Sequence, residues 1–135
     1  MIKLIIGVKG TGKTKTLINM VNTAVENSKG DVVCIEKGAK LRYDVKYQAR
    51  LINTEEYYIY DANALYGFLA GIFASNHDVT DLFIDSALKI CENNLADFDV
   101  FVADLAKLLD KVDVNVVITS SIPVEEASET VKKYL

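Results

Sequence analysis

The amino-acid sequence predicts an α/β fold, a three-layer α/β/α sandwich in which helices cover both faces of a mostly parallel central sheet. Short apolar runs typical of buried strands alternate with longer segments whose apolar residues recur at helical spacing. This alternation favours parallel strands joined by right-handed crossovers. The length of 135 residues suits one core, so we expect a single domain over residues 1–135.

The predicted strands are short and bounded by polar or glycine residues. They are residues 3–6, 32–35 (ending at Glu36), 81–85 and 114–119. Residues 41–52 are less regular. There Leu41, Tyr43 and Val45 alternate with polar residues, and Leu51-Ile52 could be another strand, which favours a β-hairpin or a pair of short strands.

The predicted helices carry apolar residues on one face. They span residues 15–28, 62–75 and 94–109, and a last helix is expected to open at Pro123. Thr54 is a candidate N-cap for a short turn that runs through Tyr58. Gly67 and Gly71 lie four residues apart on the second helix, and we expect them to allow close packing against the sheet.

A glycine-rich motif separates the first predicted strand from the first predicted helix. It matches the pattern of glycine, any four residues, and Gly-Lys-Ser/Thr at every defined position. The predicted ligand-binding residues are Gly7, Val8, Lys9, Gly10, Thr11, Gly12, Lys13, Thr14 and Lys15. A strand, a glycine-rich loop and a helix in this order are the context that such a phosphate-binding motif requires.

The chemistry of a triphosphate explains these residue types. Glycines let several backbone N–H groups approach the crowded oxygens, and the helix N-terminus adds unpaired amides and a positive dipole end. We expect Lys13 to reach the β- and γ-phosphate oxygens and the Thr14 hydroxyl to be a ligand of Mg²⁺. The motif therefore predicts ATP and Mg²⁺ as ligands.

A second acid near the metal is needed for hydrolysis or transfer. Asp85 is the preferred candidate because it closes the apolar run of residues 82–84, where its carboxylate could hold a water of the Mg²⁺ shell. Asp61 is a rival, although the tyrosine-rich stretch before it has weaker strand character. Asp85 could alternatively serve only as a helix N-cap.

Composition and charge disfavour several function classes. The net charge is −4, and Arg42 and Arg50 are the only arginines, so nucleic acid is not an expected partner. The basic residues between Lys37 and Arg50 could form a local basic patch, but a solvated loop or hairpin is the preferred interpretation. His77 is the only histidine and lies in a predicted polar loop, so neither a His-rich metal site nor a Ser-His-Asp triad is expected. With no apolar run of membrane-spanning length and no signal-peptide pattern, a cytoplasmic location with no membrane association is expected.

The cysteines are also interpreted as structural. Cys34 and Cys91 lie far apart in the sequence, and neither belongs to a metal-ligand pair. Cys34 stands within an apolar strand and is predicted to be a small core residue.

On these motifs the chain resembles the P-loop NTPases and, within them, the RecA-like branch. The resemblance covers roughly residues 1–121 and implies ATP, Mg²⁺ and a sheet in which the Asp85 and Thr119 strands lie beside the first. It also implies that Glu36, at the end of the second strand, is the base that activates the attacking water, so that Lys13, Glu36 and Asp85 form the catalytic set. Ser86 matches RecA, where many relatives have glutamate.

One part of the resemblance is less close. Residues 119–121, Thr-Ser-Ser, fall where the family places a γ-phosphate sensor, but RecA has glutamine there. An arginine finger would have to be Arg42 or Arg50, or come from another subunit or a protein partner.

Three functions remain open from the sequence. A slow Mg²⁺-dependent ATPase is preferred, whereas a small-molecule or nucleotide kinase would usually use more arginines than this chain has. A nucleotide-sensing interaction module with little or no turnover is the alternative from another class. A GTPase is disfavoured because Ser86-Ala87-Leu88 follows Asp85 where Asp-x-x-Gly would be needed, and no Asn/Thr-Lys-x-Asp sequence is present to read guanine.

Overall fold

Five parallel strands form one sheet in the computed structural model, which describes residues 1–135. The strands are β1 (Ile2–Ile6), β2 (Asp31–Glu36), β3 (Arg50–Asn53), β4 (Val79–Ile84) and β5 (Asn115–Ser120). Their order across the sheet is β1-β5-β4-β2-β3, and every neighbouring pair is parallel. The predicted α/β class is confirmed, and the sheet is wholly rather than mostly parallel.

Five helices and two 3₁₀ turns complete the fold. The helices are α1 (Lys13–Asn27), α2 (Ala62–Ser75), α3 (Ala87–Ile90), α4 (Leu95–Leu109) and α5 (Glu129–Lys132). The 3₁₀ turns span Thr54–Tyr57 and Val124–Glu126. No helix of the chain combines the length and the apolar character needed to cross a membrane.

The core lies on both faces of the sheet, because successive residues of a strand point to opposite sides. Val33 and Ile35 of β2 belong to the larger cluster, which α2 and α4 cover. Val32 and Cys34 of the same strand belong to the smaller cluster, which α1 covers together with residues 41–49. Helices therefore flank the sheet on both sides, as in a three-layer arrangement.

The predicted hairpin at residues 41–52 is wrong. Of the strands predicted there, the one at Leu51-Ile52 is present as β3, and it pairs in parallel with β2. Leu41, Val45 and Ala49 are all buried, so the inward spacing is four residues rather than two. The side chain of Asn22 in α1 holds this segment, since its Nδ2 donates to the Asp44 carbonyl and its Oδ1 accepts from the Lys46 amide, each at 2.9 Å.

Two helix-end predictions also differ from the structure. Asn53, not Thr54, caps the first 3₁₀ turn by accepting from the Glu55 amide, and the buried Thr54 hydroxyl has no hydrogen-bond partner. No continuous helix follows Pro123. The chain forms a 3₁₀ turn, leaves it, and starts α5 anew after Ser128, whose side chain accepts from the Val131 amide at 3.1 Å.

The glycines of α2 do not pack against the sheet as predicted. Gly67 and Gly71 lie on the exposed face of the helix, and a Cβ added to either would meet nothing within 4 Å. Gly30 is the glycine that close packing requires. A Cβ there would lie 2.2 Å from the Asp78 carbonyl oxygen, which accepts a hydrogen bond from the Asp31 amide.

The parallel sheet places the candidate functional residues together at the carboxyl ends of its strands. β5, which carries Thr119, lies directly beside β1, and β4, which leads to Asp85, lies next to β5. All five carboxyl ends point the same way because the strands are parallel, and ligands of such sheets bind beyond that edge.

Candidate functional site

A cleft of about 280 Å³ opens at the carboxyl edge of the sheet. Its walls come from the glycine-rich loop, the first turn of α1, and the segments that follow β2 and β4. Of the residues predicted to form the site, Lys13, Thr14, Glu36 and Asp85 all line this one cleft. The topology thus brings together residues from three separate parts of the sequence.

The loop before α1 takes a conformation that suits glycine. Gly10 has φ 86° and Gly12 has φ 82°, values in the left-handed region that side chains disfavour. Inside the loop the Val8 carbonyl accepts hydrogen bonds from the Thr11 hydroxyl at 2.8 Å and from the Lys13 ammonium at 2.9 Å. The loop is therefore a structured turn, and it directs the chain into α1.

The N-terminus of α1 faces the same cleft. Gly12 is the N-cap residue, so no side chain caps this end of a 15-residue helix. The first intrahelical bond joins the Thr16 amide to the Gly12 carbonyl at 3.0 Å. Amides of the first turn precede the helical hydrogen-bond ladder and lie at the positive end of the helix dipole. This end of α1 can therefore receive an anion.

Asp85 follows β4 and lies against α1. Its carboxylate accepts hydrogen bonds from the Thr14 hydroxyl at 3.1 and 3.2 Å and from the Thr119 hydroxyl at 2.7 Å. The residue is buried, and its own amide donates to the Ile35 carbonyl at 2.9 Å. The Ser86 hydroxyl also donates to Oδ2 at 3.5 Å, so three hydroxyl donors and one backbone anchor hold the carboxylate at the cleft.

The sequence left two alternatives open: Asp85 could be only a helix N-cap, or Asp61 could be the second acid. Asp85 is not an N-cap, because Ser86 holds the N-cap position of α3 and no side chain caps that helix. The rival Asp61 caps α2 by accepting from the Ala64 amide at 2.8 Å. Asp61 lines a different cleft, so it does not join the residues at the glycine-rich loop.

Glu36 is buried at the end of β2, where it holds the loop that follows. Its Oε1 accepts from the Lys40 amide at 2.9 Å, and its Oε2 accepts from the Leu41 amide at 3.2 Å. Burial raises the pKa of the Glu36 carboxyl above its usual 4.5, the two amides oppose that rise, and the charge of Asp85 adds to it. Both oxygens are thus used in shaping residues 37–41.

The polar residues that end β5 have different roles. The buried Thr119 hydroxyl donates to Asp85 and accepts from the Ser86 amide at 2.8 Å. The Ser120 hydroxyl accepts from the Leu88 amide at 3.3 Å. Only Ser121 of the three lines the cleft. Thr119 and Ser120 therefore attach the segment after β4 to β5, and Ser121 is the member that a ligand could reach.

Lysines dominate the charge of the cleft. Its lining has six lysines, Lys9, Lys13, Lys15, Lys37, Lys40 and Lys89, against two carboxylates, Glu36 and Asp85. The chain as a whole has a net charge of −4, so this concentration of positive charge is local. A cleft with an excess of one sign attracts ligands of the opposite sign.

Three of these lysines were not among the residues predicted to bind ligand. Lys37 and Lys40 lie in the basic stretch interpreted as a solvated loop, and Lys89 lies in α3. Their position could have been found from the sequence, because each follows the carboxyl end of a predicted strand. Their convergence could not, because it depends on β2 and β4 being neighbours.

Other chemistry is not supported in this cleft. Burial raises the pKa of the Cys34 thiol to about 12, with smaller contributions from the charges of Asp85 and Glu36, so this cysteine is a core residue rather than a nucleophile. No group of three or more His, Cys, Asp or Glu side chains in the chain could hold a metal ion. A metal at Asp85 would need oxygens from a ligand as well.

The chain was also compared with known proteins. No protein-family model matches it, and a search of curated proteins finds no match.

Proposed function

We propose that this protein binds ATP with Mg²⁺ at the cleft beside residues 7–14 and hydrolyses it slowly. The observation that carries the proposal is the meeting of a glycine-rich loop, an uncapped helix N-terminus and six lysines around the hydrogen-bonded pair Thr14 and Asp85. No other part of the chain combines these features. The resemblance to P-loop NTPases belongs to this proposal.

The phosphates of ATP would be bound by backbone amides and lysine side chains of the cleft. A polyphosphate chain carries several negative charges, and the amides of the loop and of the first turn of α1 are suitable donors for its oxygens. Lys13 reaches Val8 of the loop with its ammonium group, so the same group can contact a phosphate that the loop surrounds. The other lysines offset the remaining charge.

The donor set at Thr14 and Asp85 fits Mg²⁺. The ion prefers hard oxygen ligands, and it is commonly held by one or two carboxylates together with substrate phosphates. The Thr14 hydroxyl and the Asp85 carboxylate are oxygen donors within 3.2 Å of each other. They are too few to hold a metal by themselves, which agrees with binding of the ion together with a nucleotide. When bound, Mg²⁺ would neutralise charge on the transferred phosphoryl group.

Slow turnover is expected from the side chains that line the cleft. No arginine is among the lining residues, so transition-state charge would be met by Lys13, the neighbouring lysines and Mg²⁺ without a guanidinium group. Glu36 is the one other carboxylate there, and both of its oxygens accept backbone hydrogen bonds. To act as a base it would have to release at least one of them.

A second candidate function rests on that observation about Glu36. If its carboxylate stays bound to the amides of Lys40 and Leu41, no base is free to activate water. The protein would then bind ATP and report its presence to a protein partner, with little or no turnover. The two candidates share the binding site and differ only in the chemical step.

Titration calorimetry with ATP, ADP and GTP, with and without Mg²⁺, tests the binding proposal. We expect ATP to bind, Mg²⁺ to strengthen binding, and Lys13→Ala to weaken it about 10- to 100-fold, as for loss of hydrogen bonds to a charged group. Lys3→Ala is the matched control, because Lys3 is an exposed lysine of β1 that does not line the cleft. Absence of ATP binding, or equal affinities for wild type and Lys13→Ala, would contradict the proposal. Phosphate release at saturating ATP then separates hydrolysis from sensing.

A further inference from the structure

A second, smaller cleft lies on the other side of residues 37–42. It measures about 180 Å³ and is bounded by this loop, β3 and the 3₁₀ turn that follows β3. The loop is a common wall, since Lys37 and Lys40 line the lysine-rich cleft whereas Gly38 and Arg42 line the smaller one. Glu36 contributes to both clefts.

The smaller cleft contains both arginines of the chain. Arg42 and Arg50 come from different segments, and each is exposed to solvent. Neither forms an ion pair, although the chain has 19 acidic residues. The ion pairs of the structure are Lys46–Glu26 and Lys132–Glu129. Two guanidinium groups without carboxylate partners therefore lie in one depression of an acidic protein.

Tyrosine side chains hold the two guanidinium groups. Arg42 Nη2 donates to the Tyr43 hydroxyl at 3.1 Å, and the Arg42 guanidinium lies 4.9 Å from the centre of the Tyr43 ring. Arg50 Nη2 donates to the Tyr57 hydroxyl at 3.2 Å. A guanidinium has five N–H donors, so each arginine keeps most of its donors for another partner.

No carboxylate near this cleft is ion-paired with either arginine, including Glu55, whose Oε1 lies 3.9 Å from the Cβ position of Gly38. Glu56 lines it but makes no ion pair with either one. Glu36 is buried, and its oxygens accept the amide hydrogen bonds of Lys40 and Leu41. The planar fork of arginine matches the two oxygens of a carboxylate or of a phosphate group.

We propose that this cleft is a second binding site, which takes a small molecule through a phosphate or carboxylate group held by Arg42 and Arg50. The volume of about 180 Å³ lies below the roughly 300–1,000 Å³ of pockets for drug-sized ligands, so the bound group is small. This proposal does not rest on ATP binding, because neither arginine belongs to the site assigned to ATP. It places a second anionic ligand beside the first, across one loop.

Nuclear magnetic resonance can test the site directly. The chain has two arginines, so the protein gives two arginine Nε–H signals, which Arg42→Lys and Arg50→Lys variants assign. Inorganic phosphate and succinate are titrated separately into wild type and into Lys13→Ala. We expect both arginine signals to shift saturably with at least one of the two anions, with a dissociation constant on the order of 1 mM. The anion that gives the tighter response identifies the preferred group.

Three results would overturn the proposal. The first is that neither anion shifts the signals saturably, and the second is that only one arginine responds. The third is that the shifts disappear in Lys13→Ala, which would place the anion in the lysine-rich cleft. Conversely, shifts that persist in Lys13→Ala while ATP binding is lost support the second site whatever the fate of the ATP proposal. The arginine variants should weaken the response about tenfold, with an unchanged backbone amide spectrum as the sign of an intact fold.

Discussion

The Thr14 hydroxyl donates a hydrogen bond of 3.1 Å to the carboxylate of Asp85, although 71 residues separate them in the sequence. This contact joins the first turn of α1 to the end of β4. Thr119 donates to the same carboxylate at 2.7 Å from β5. Three elements of the fold thus meet at one acidic group, and the proposed metal chemistry depends on that group.

Replacing Asp85 with asparagine should remove the effect of Mg²⁺ on ATP binding. Asparagine has nearly the same size but no negative charge for the cation, so we expect the enhancement by Mg²⁺ to fall about tenfold or more. ATP affinity without metal should stay equal or rise, because a negative charge near the phosphates is lost. Calorimetry with Mg²⁺ and with a chelator measures both quantities.

The control for this variant is Asp81→Asn. Asp81 lies earlier in β4 and accepts hydrogen bonds from Ser28 and Thr80, away from the lysine-rich cleft. The Asp81→Asn variant should leave the effect of Mg²⁺ on ATP binding unchanged. An undiminished Mg²⁺ effect in Asp85→Asn would show that Asp85 does not serve the metal.

Replacing Glu36 with glutamine should weaken ATP binding several-fold. Glutamine can accept one amide hydrogen bond, but its NH₂ group would face the second amide donor, so residues 37–41 should shift and displace Lys37 and Lys40. A several-fold loss of ATP affinity corresponds to about 1 kcal/mol of binding free energy. Glu56→Gln is the control, since Glu56 does not line the cleft proposed to bind ATP.

The rate of phosphate release at saturating ATP then decides whether Glu36 also takes part in the chemistry. A rate that falls at saturation supports its role as the base. A rate equal to that of wild type would contradict that role and leave Glu36 as the residue that positions the loop. Equal affinity and equal rate would contradict both roles.

The stability of the protein should depend on the protonation of Glu36. Burial raises the pKa of this carboxyl above 4.5, so the folded state holds a proton that the unfolded state has already released. As pH rises from about 4.5 through the raised pKa, wild type should therefore lose stability relative to Glu36→Gln. Urea unfolding of both proteins across this range measures the difference.

Glu26 provides a control of opposite sign. Its ion pair with Lys46 lowers the pKa of the Glu26 carboxyl, so wild type should gain stability relative to Glu26→Gln as pH rises towards 4.5. The effect should be small because both side chains are exposed. If wild type instead gained stability relative to Glu36→Gln as pH rises above about 4.5, the predicted direction would be wrong.

Alanine substitutions should have opposite effects on stability at Gly30, which is closely packed, and at Gly67, which lies on the exposed face of α2. Gly30→Ala would place a Cβ 2.2 Å from the Asp78 carbonyl oxygen, so the β2 and β4 backbones must move apart. We expect a loss of about 1–3 kcal/mol in the free energy of unfolding. Gly67→Ala should instead stabilise α2 by about 0.5–1 kcal/mol, because no atom obstructs its Cβ. Stability equal to wild type in Gly30→Ala would contradict the close approach.

The long helices could be predicted because their signals are local. The interval predicted for α2 coincides with Ala62–Ser75, and α4 begins one residue after Asn94, whose side chain accepts from the Asp97 amide. Residues 41–49 were predicted wrongly because their conformation depends on Asn22 of α1. A sequence window around residue 45 contains no sign of that partner.

For the candidate site, the sequence by itself determined the glycine-rich loop, Lys13 and Thr14, because these residues are contiguous and their chemistry requires that spacing. It also indicated Asp85 from its place after an apolar strand. Only the tertiary structure decided that Asp85 lies beside Thr14, that Glu36 holds the following loop, and that the two arginines share a cleft. These are contacts between distant segments, and strand order and register determine them. Local periodicity encodes which segments become strands, but not which strands become neighbours.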